Sequence, residues 1–423
     1  MFWNRCLGIG ILLFALMLTS GQGQADTDPY LPLKRFSQIL DLVERNYVED
    51  VTRDDLINGA IQGMLQELDP HSAYLVEEEF SEMQMDTSGE FSGVGIVLSM
   101  ENSRLTVISP IEDTPAYEAD IRAEDIILAI DGEPAQDITL NDAVKLIRGP
   151  IGTEVELTIL HKDENTPVKV MVERAKIPLH SIKEQELESG YAYIRVTRFR
   201  ENTTEELRKG LEKYSNLQGI VLDLRNNPGG LLDQAVTVAD TFLEDGKIVY
   251  TKSRNAGGQM DFVARKESSD VLVPMVVLIN AGSASASEIV AGALKDHSRA
   301  ILLGERTFGK GSVQSVIPLS NGAGIKLTTA RYYTPKGRSI QAHGITPDIY
   351  MPLIQPADGD EEENVFDHVI REQDLTNHLE NRIGEGFNQD EISAETREML
   401  AQDNQLRMGL QLVKNLKRFQ KIH

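Results

Sequence analysis

The strongest constraint on the fold is a series of short apolar runs spread over residues 177–351. Residues 219–224 and 275–279 are almost uninterrupted aliphatic side chains, which is typical of strands covered on both faces. Helical segments follow them at 231–242 and 288–295. This alternation of buried strands and helices predicts a mixed α/β core in which helices cover both faces of a sheet.

A smaller mixed domain is predicted at 89–173, where short strands alternate with turns. A glycine turn at Gly93 and Gly95 leads into its first strand, and an Asp-Gly turn closes a later one. The predicted elements are strands at 104–108, 125–132 and 154–160 and helices at 115–119 and 140–147.

The termini differ from both regions. Arg5, an apolar run at 7–18 and a small-residue site ending at Ala25 predict a signal peptide cleaved before Asp26; an uncleaved membrane anchor is the alternative. Helical spacing marks 29–86, and an acidic run at 358–363 precedes a helical tail. The predicted domains are a signal peptide (1–25), a helical region (26–86), a small mixed domain (87–175), the α/β core (176–355), and an acidic linker with a C-terminal helical region (356–423).

Charge and cysteine content exclude several function classes. The formal net charge of −24 repels nucleic acid and anionic lipid. The only cysteine, Cys6, lies inside the predicted signal peptide, so thiol catalysis and cysteine-ligated metals are excluded from the mature chain. No H-E-x-x-H motif is present, so a zinc protease is not expected.

A candidate nucleophile lies in the serine-rich segment 282–289, after a buried strand and at the start of a helix. A serine at such a turn is exposed on a rigid support, and the first helical amides can stabilise an oxyanion. The alternative is purely structural, because Ser285 and Glu288 have the spacing of a helix capping box.

A candidate base, Lys310, lies between two glycines in the loop after another strand. Burial disfavours a charged lysine, and a neutral amine can take a proton from a serine hydroxyl. Gln314 is placed to hold that amine by a hydrogen bond. The alternatives are a surface lysine or a P-loop, although Gly311 stands where a P-loop needs serine or threonine.

The segment 223–230 leaves a buried strand in a Pro-Gly-Gly turn. Tandem glycines allow backbone amides to approach a ligand, so Gly229 and Gly230 could form an oxyanion hole with the amide of Ala286, although a plain turn is the alternative. A Ser–His–Asp triad is not expected, because His297 lies about three helical turns beyond Ser285.

Taken together, these segments resemble the C-terminal processing peptidases, also called tail-specific proteases. The resemblance implies a crotonase-like protease core, with Ser285 as the nucleophile, Lys310 as the base and Gln314 as its support. It also implies that the small domain is a PDZ domain in which Arg148 couples peptide binding to assembly of the active site; a surface salt bridge is the alternative for Arg148. The matching motifs lie at 68–74, 91–96, 223–230, 282–289 and 307–314. The implied carboxylate-binding loop contains Phe91, Gly93, Val94, Gly95 and Ile96.

The function that this resemblance implies is an exported serine endopeptidase that binds exposed C-terminal tails of polypeptides and needs no metal or cofactor. The expected location is the bacterial periplasm, with inner-membrane association if the signal is uncleaved. A homo-oligomer, a dimer or larger, and an activating adaptor protein are expected partners. The alternatives are a catalytically silent PDZ scaffold and, from the broader fold, hydratase chemistry, for which the motifs offer no pair of carboxylates.

Overall fold

The computed structural model describes residues 30–101, 103–136, 138–162, 164–254, 258–354 and 393–419. The predicted signal peptide and the acidic run lie outside these ranges. Over the described residues, no helix combines the length and the apolar character needed to cross a membrane. The chain divides into two compact units, with the boundary between Tyr74 and Leu75.

The first unit contains the two helices predicted from helical spacing. Thr52 caps the second helix by accepting a hydrogen bond from the backbone N–H of Asp55 at 3.1 Å. Arg53, in the first turn of that helix, pairs with Asp41 of the first helix at 2.6 Å. The elements are α1 (Leu31–Asn46) and α2 (Arg53–Gln66), followed by the short strand β1 (Ala73–Leu75) at the boundary.

The second unit begins with a helix and the small mixed domain. Its antiparallel sheet has the order β3-β4-β5-β7-β8, with β6 beside β5, and β2 pairs with β9, so the entering and leaving strands are joined. The predicted helix at 140–147 and strand at 154–160 are confirmed. The elements are α3 (Glu77–Ser88), β2 (Glu90–Gly93), β3 (Ile96–Glu101), β4 (Arg104–Pro110), α4 (Pro115–Glu118), β5 (Ile126–Ile130), β6 (Glu133–Pro134), α5 (Leu140–Ile147), β7 (Glu154–Leu160), β8 (Val168–Glu173) and β9 (Ala175–Pro178).

The largest part of the second unit is an α/β core. Its elements are β10 (Ile182–Glu188), β11 (Tyr191–Val196), α6 (Thr203–Glu212), β12 (Gly219–Asp223), α7 (Leu232–Asp240), β13 (Lys247–Ser253), β14 (Gln259–Val263), β15 (Met275–Ile279), α8 (Ala286–Asp296), β16 (Ile301–Gly304), β17 (Ser312–Pro318), β18 (Gly324–Tyr333), β19 (Ile349–Tyr350), α9 (Ala394–Gln402) and α10 (Asn404–Phe419).

The main sheet of this core has the order β10-β11-β12-β15-β16-β19 and is parallel except for β10. Every residue of β12 and β15 is buried. Alternate side chains of these strands enter two different apolar clusters, one shared with α6, α7 and α8 and the other with α10. The prediction of a sheet covered on both faces is therefore confirmed.

A second sheet was not predicted from the sequence. Strand β18 pairs with the antiparallel strands β17 and β13, and β14 extends the sheet beside β13. These strands are mostly half-buried or exposed, so they lack the continuous apolar runs that identify the main sheet. The β17–β18 hairpin matters for the site because it follows Lys310 directly in the chain.

Candidate active site

Ser285 occupies the turn between the buried strand β15 and helix α8, where it is the helix N-cap. Its backbone has φ +55° and ψ −112°, a conformation that is strained for a residue with a side chain. The buried Ser283 helps to hold this turn by donating a hydrogen bond from its hydroxyl to the carbonyl of Leu224 at 2.7 Å. A strained turn with defined supports positions the half-buried Ser285 side chain rigidly.

The buried Glu288 connects the two halves of the candidate dyad through their backbones. Its Oε2 accepts hydrogen bonds from the N–H of Ser285 at 2.8 Å and of Lys310 at 2.9 Å. Its Oε1 accepts from the hydroxyl of Thr307 at 2.5 Å and from the N–H of Gly309 at 2.7 Å. Burial raises the pKa of Glu288, and the four donors oppose that rise.

The capping spacing seen in the sequence is therefore real, since Glu288 accepts from the N–H of the N-cap residue. The same carboxylate also binds the loop that carries the lysine. Capping and a catalytic role are therefore compatible in this segment. The spacing of Glu288 is visible in the sequence, but its contact with the distant loop is not.

Lys310 is half-buried, and its backbone is held on both sides. Its N–H donates to Glu288, and its carbonyl accepts a hydrogen bond from the hydroxyl of Tyr332 on β18. Tyr332 is 2% exposed, and burial raises the pKa of its phenol. Sequence reasoning missed Tyr332, because nothing in a β-strand motif links it to a loop more than twenty residues away.

The candidate residues line a cavity of about 300 Å³, and its wall includes Ser285, Lys310 and Gln314. The Nε2 of Gln314 donates to the hydroxyl of Ser312 at 2.8 Å, which fixes the amide close to the start of the β17–β18 hairpin. The remaining candidate residues in the same wall are Gly229, Gly230 and Ala286. The residues predicted from the sequence for catalysis and for the oxyanion hole therefore line one cavity.

The Pro-Gly-Gly turn packs directly against the serine. Gly229 has φ +102°, and a Cβ on it would lie 2.8 Å from the Cβ of Ser285, so only glycine fits. The N–H of Gly229 donates to the buried side chain of Asn227 at 2.9 Å, whereas Gly230 is exposed beside the cavity. Asn227 also accepts at its carbonyl from the N–H of Ala284 at 3.0 Å, which ties the two turns together.

His297 does not take part in this arrangement. It caps the far end of α8, and its Nε2 makes a hydrogen bond with the carbonyl of Lys247 at 2.7 Å. Over the described part of the chain, no group of three or more His, Cys, Asp and Glu side chains is arranged to hold a metal ion.

The predicted peptide-binding loop lies in the small domain, where Phe91 and Ile96 are half-buried and the residues from Gly93 to Gly95 are buried. Gly95 has φ +87°, and a Cβ there would lie 2.3 Å from the side chain of Thr114. The loop precedes β3, which pairs on one side with β4 and has no strand on its other side among the described residues. Helix α5 lies near this edge.

Arg148 follows α5 and packs its guanidinium over the ring of Phe91, 5.0 Å from the ring centroid. Both residues border a cavity of about 640 Å³ between the small domain and helix α3. The wall of this cavity on α3 is acidic, with Glu78, Glu79, Glu82 and Asp86. Arg148 therefore lies at the contact between the small domain and the helix that precedes it, not on a free surface.

Comparison with known proteins identifies the family. Residues 190–351 match the model of peptidase family S41, residues 106–160 match a PDZ domain, and residues 17–79 match the N-terminal domain of the activating protease CtpB. A carboxy-terminal-processing protease of Bartonella bacilliformis is 42% identical over 382 residues, which cover 89% of this chain and 86% of that protein. The chain belongs to peptidase family S41. It is a serine-type peptidase with a PDZ domain.

Other relatives agree with this assignment. The peptidase is 41% identical over 329 residues to a carboxyl-terminal-processing protease of Synechocystis sp., covering 75% of this chain and 77% of that one. A solved structure of a photosystem II D1 C-terminal processing protease is 30% identical, with a TM-score of 0.44, and covers 75% of this chain and 92% of its own. The family assignment rests on the sequence identities and not on this structural overlap.

Proposed function

We propose that this peptidase is an exported endopeptidase that cleaves polypeptides with a Ser–Lys dyad formed by Ser285 and Lys310. The observation that carries the proposal is the shared anchor: one carboxylate oxygen of Glu288 binds the backbone N–H of both residues. Their side chains also border the same cavity. A nucleophile and a base on two loops need such a common support to keep their relative position.

The proposed reaction uses groups of this chain alone. Neutral Lys310 takes the proton of the Ser285 hydroxyl as its oxygen attacks the scissile carbonyl, and Gln314 orients the amine. The N–H groups of Gly230 and Ala286 stabilise the oxyanion. The protonated lysine then gives its proton to the leaving amine, and it later activates the water that hydrolyses the acyl-enzyme. Gly229 contributes mainly the absence of a side chain, because its N–H is bound to Asn227.

The PDZ domain is proposed to present the substrate. An extended C-terminal tail would add beside β3, with its carboxylate in the loop formed by Phe91, Gly93, Val94, Gly95 and Ile96. The edge of β3 next to α5, which no other strand covers within the described part of the chain, supports this placement. Arg148 would report tail binding, because movement of the loop disturbs its contact with Phe91.

Four finer features of the proposal concern the whole protein. Its core is of the crotonase type, supported by the nearly parallel sheet covered on both faces. The signal peptide directs export to the periplasm, supported by the sequence of residues 1–25. The protein forms a dimer or larger oligomer, and an adaptor protein activates it; the match of 17–79 to the N-terminal domain of an activating protease supports a role of that region in such contacts.

Digestion of casein by the chain from Asp26 onward tests the dyad. Wild type is expected to cut casein, and the variants Ser285→Ala and Lys310→Ala are expected to lose activity while remaining folded. Lys326→Ala is the matched control, because Lys326 borders the same cavity but has no assigned role. Activity should rise with pH, since the base acts in its neutral form.

Each other outcome has a defined meaning. Cleavage by either dyad variant would show that the assignment of that residue is wrong. If wild type does not cut but a fluorophosphonate probe labels Ser285, the peptidase is latent without an activator. If there is neither cutting nor labelling, the protein is a peptide-binding scaffold and the proposed function fails.

A further inference from the structure

Arg225 is a buried cation in the same turn as the glycines of the candidate oxyanion hole. Its Nε donates to one carboxylate oxygen of Asp223 at 2.9 Å, and its second terminal nitrogen donates to the other at 2.7 Å. Asp223 is itself buried at the end of β12 and accepts a hydrogen bond from the hydroxyl of Tyr193 at 2.8 Å. Two of the three guanidinium nitrogens thus donate to a carboxylate of the core.

The other contacts of Arg225 come from the C-terminal segment, almost 180 residues later in the chain. The carboxylate of Asp403 accepts from both terminal nitrogens, at 3.1 and 2.6 Å. Gln405 accepts from one of them at 2.9 Å. A fork of this type fixes direction as well as distance, so Arg225 links the segment to the turn in a defined geometry.

Asp403 is placed for this contact by the helix that it caps. Its Oδ1 accepts from the N–H of Leu406, in the first turn of α10, at 2.9 Å. Gln405 donates from its amide to the carbonyl of Met351 at 2.6 Å. Along the helix, Leu410 packs with Leu406 against the face of the sheet opposite α8. Docking of α10 and placement of the Asp403 carboxylate are therefore one event.

The turn that Arg225 belongs to is bound at several points to the turn that carries the nucleophile. The N–H of Asn226 donates to the side chain of Asn280 at 2.9 Å. The carbonyl of Asn227 accepts from Ala284 at 3.0 Å and from the hydroxyl of Ser287 at 2.9 Å. A displacement of Arg225 would therefore reach both Gly230 and the backbone of Ser285.

The charges favour the docked arrangement. Although burial alone would lower it, the hydrogen bonds and charges of Asp223 and Asp403 raise the pKa of Arg225 above its ordinary value. A buried guanidinium is tolerated only when its donors are satisfied, and two of its contacts are supplied by Asp403. Without the segment, the guanidinium of Arg225 loses these acceptors. Rotation toward water would then be favoured, and it would displace the turn.

We propose that Asp403 is a positioning residue for catalysis, which holds the turn 224–230 in its oxyanion-binding arrangement through Arg225. Activity of the peptidase then depends on its own C-terminal segment, 393–419, being docked on the core. This inference rests on the proposed function, because it concerns the geometry around Ser285.

The test uses the chain from Asp26 onward and the variant Asp403→Asn. Digestion of fluorescein-labelled casein gives kcat and KM, and the rate of labelling by a fluorophosphonate probe reports the reactivity of Ser285. We expect kcat and the labelling rate to fall at least ~10-fold with KM within about twofold, because misplaced oxyanion donors weaken the transition state and not substrate binding. Asp403→Glu keeps the carboxylate and should recover part of the loss.

Lys414→Ala is the matched control for docking alone. Lys414 lies farther along α10, pairs with Glu188 at the end of β10, and does not touch the turn. Equal losses of kcat in the Lys414 and Asp403 variants at equal loss of thermal stability would overturn the proposal, as would an unchanged kcat in Asp403→Asn. Casein cleavage by Ser285→Ala would instead refute the proposed function. If wild type is latent, the labelling rates decide the question in the same way.

Discussion

Replacement of Glu288 by glutamine tests the shared anchor of the proposed dyad most directly. The change keeps the size of the side chain but replaces one acceptor oxygen by an NH₂ group. In the native site the carboxylate is the acceptor in all four of its hydrogen bonds, two at each oxygen. The new NH₂ group must therefore face two donors, whichever way the amide is turned.

The magnitude follows from those contacts. If the amide oxygen keeps Ser285 and Lys310, the NH₂ group faces the N–H of Gly309 and the hydroxyl of Thr307, which can rotate to accept. One buried N–H then loses its partner, at a cost of about 1–3 kcal/mol, and the remaining bonds lose their charge assistance. We expect the free energy of unfolding to fall by about 2–4 kcal/mol, and kcat to fall because the two loops are no longer fixed together.

The assay is urea unfolding followed by far-UV circular dichroism, since the only tryptophan of the chain is Trp3, in the predicted signal peptide. Casein digestion under conditions where both proteins are folded gives kcat. Glu305→Gln, in the same loop as Lys310, is the matched control and should behave as wild type. A Glu288→Gln variant within about 0.5 kcal/mol of wild type and with unchanged kcat would refute the reasoning.

Three further predictions concern neighbouring positions. Gly230→Ala should abolish fluorophosphonate labelling, because the added Cβ would lie 2.1 Å from a backbone oxygen; normal labelling would show that the turn adapts. Tyr332→Phe should lower stability in urea by about 1–2 kcal/mol by leaving the partly buried carbonyl of Lys310 without its donor; an unchanged midpoint would contradict this. Burial tends to raise the pKa of Asp296, but the backbone N–H of Lys336 and the guanidinium of Arg338 lower it below its ordinary value. The carboxylate therefore contributes stability above the unfolded-state pKa, and this contribution is lost as pH falls through the lowered folded-state pKa. Acid unfolding of Asp296→Asn should be less steep than that of wild type, and an identical acid profile would count against the Asp296–Arg338 ion pair.

Much of the secondary structure follows from local pattern. The helix at 140–147 and the strands at 154–160 and 275–279 lie where periodicity predicts them, because burial on one or both faces leaves a repeat that can be read along the chain. The strands β13, β14, β17 and β18 were not predicted. They form a sheet whose residues are mostly half-buried or exposed, so their apolar repeat along the chain is weak.

By itself, the sequence determined which segments are the candidates for the chemistry: the serine turn, the glycine-flanked lysine and the tandem glycines. Each depends on residues close together in the chain. Only the tertiary structure decided how they are held, through Glu288 bound to two loops, Tyr332 bound to the lysine loop, and Asp403 bound to Arg225. These contacts join residues far apart in sequence, and a hydrogen bond between distant segments leaves no periodic or spacing signal, so it exists only once the chain has folded.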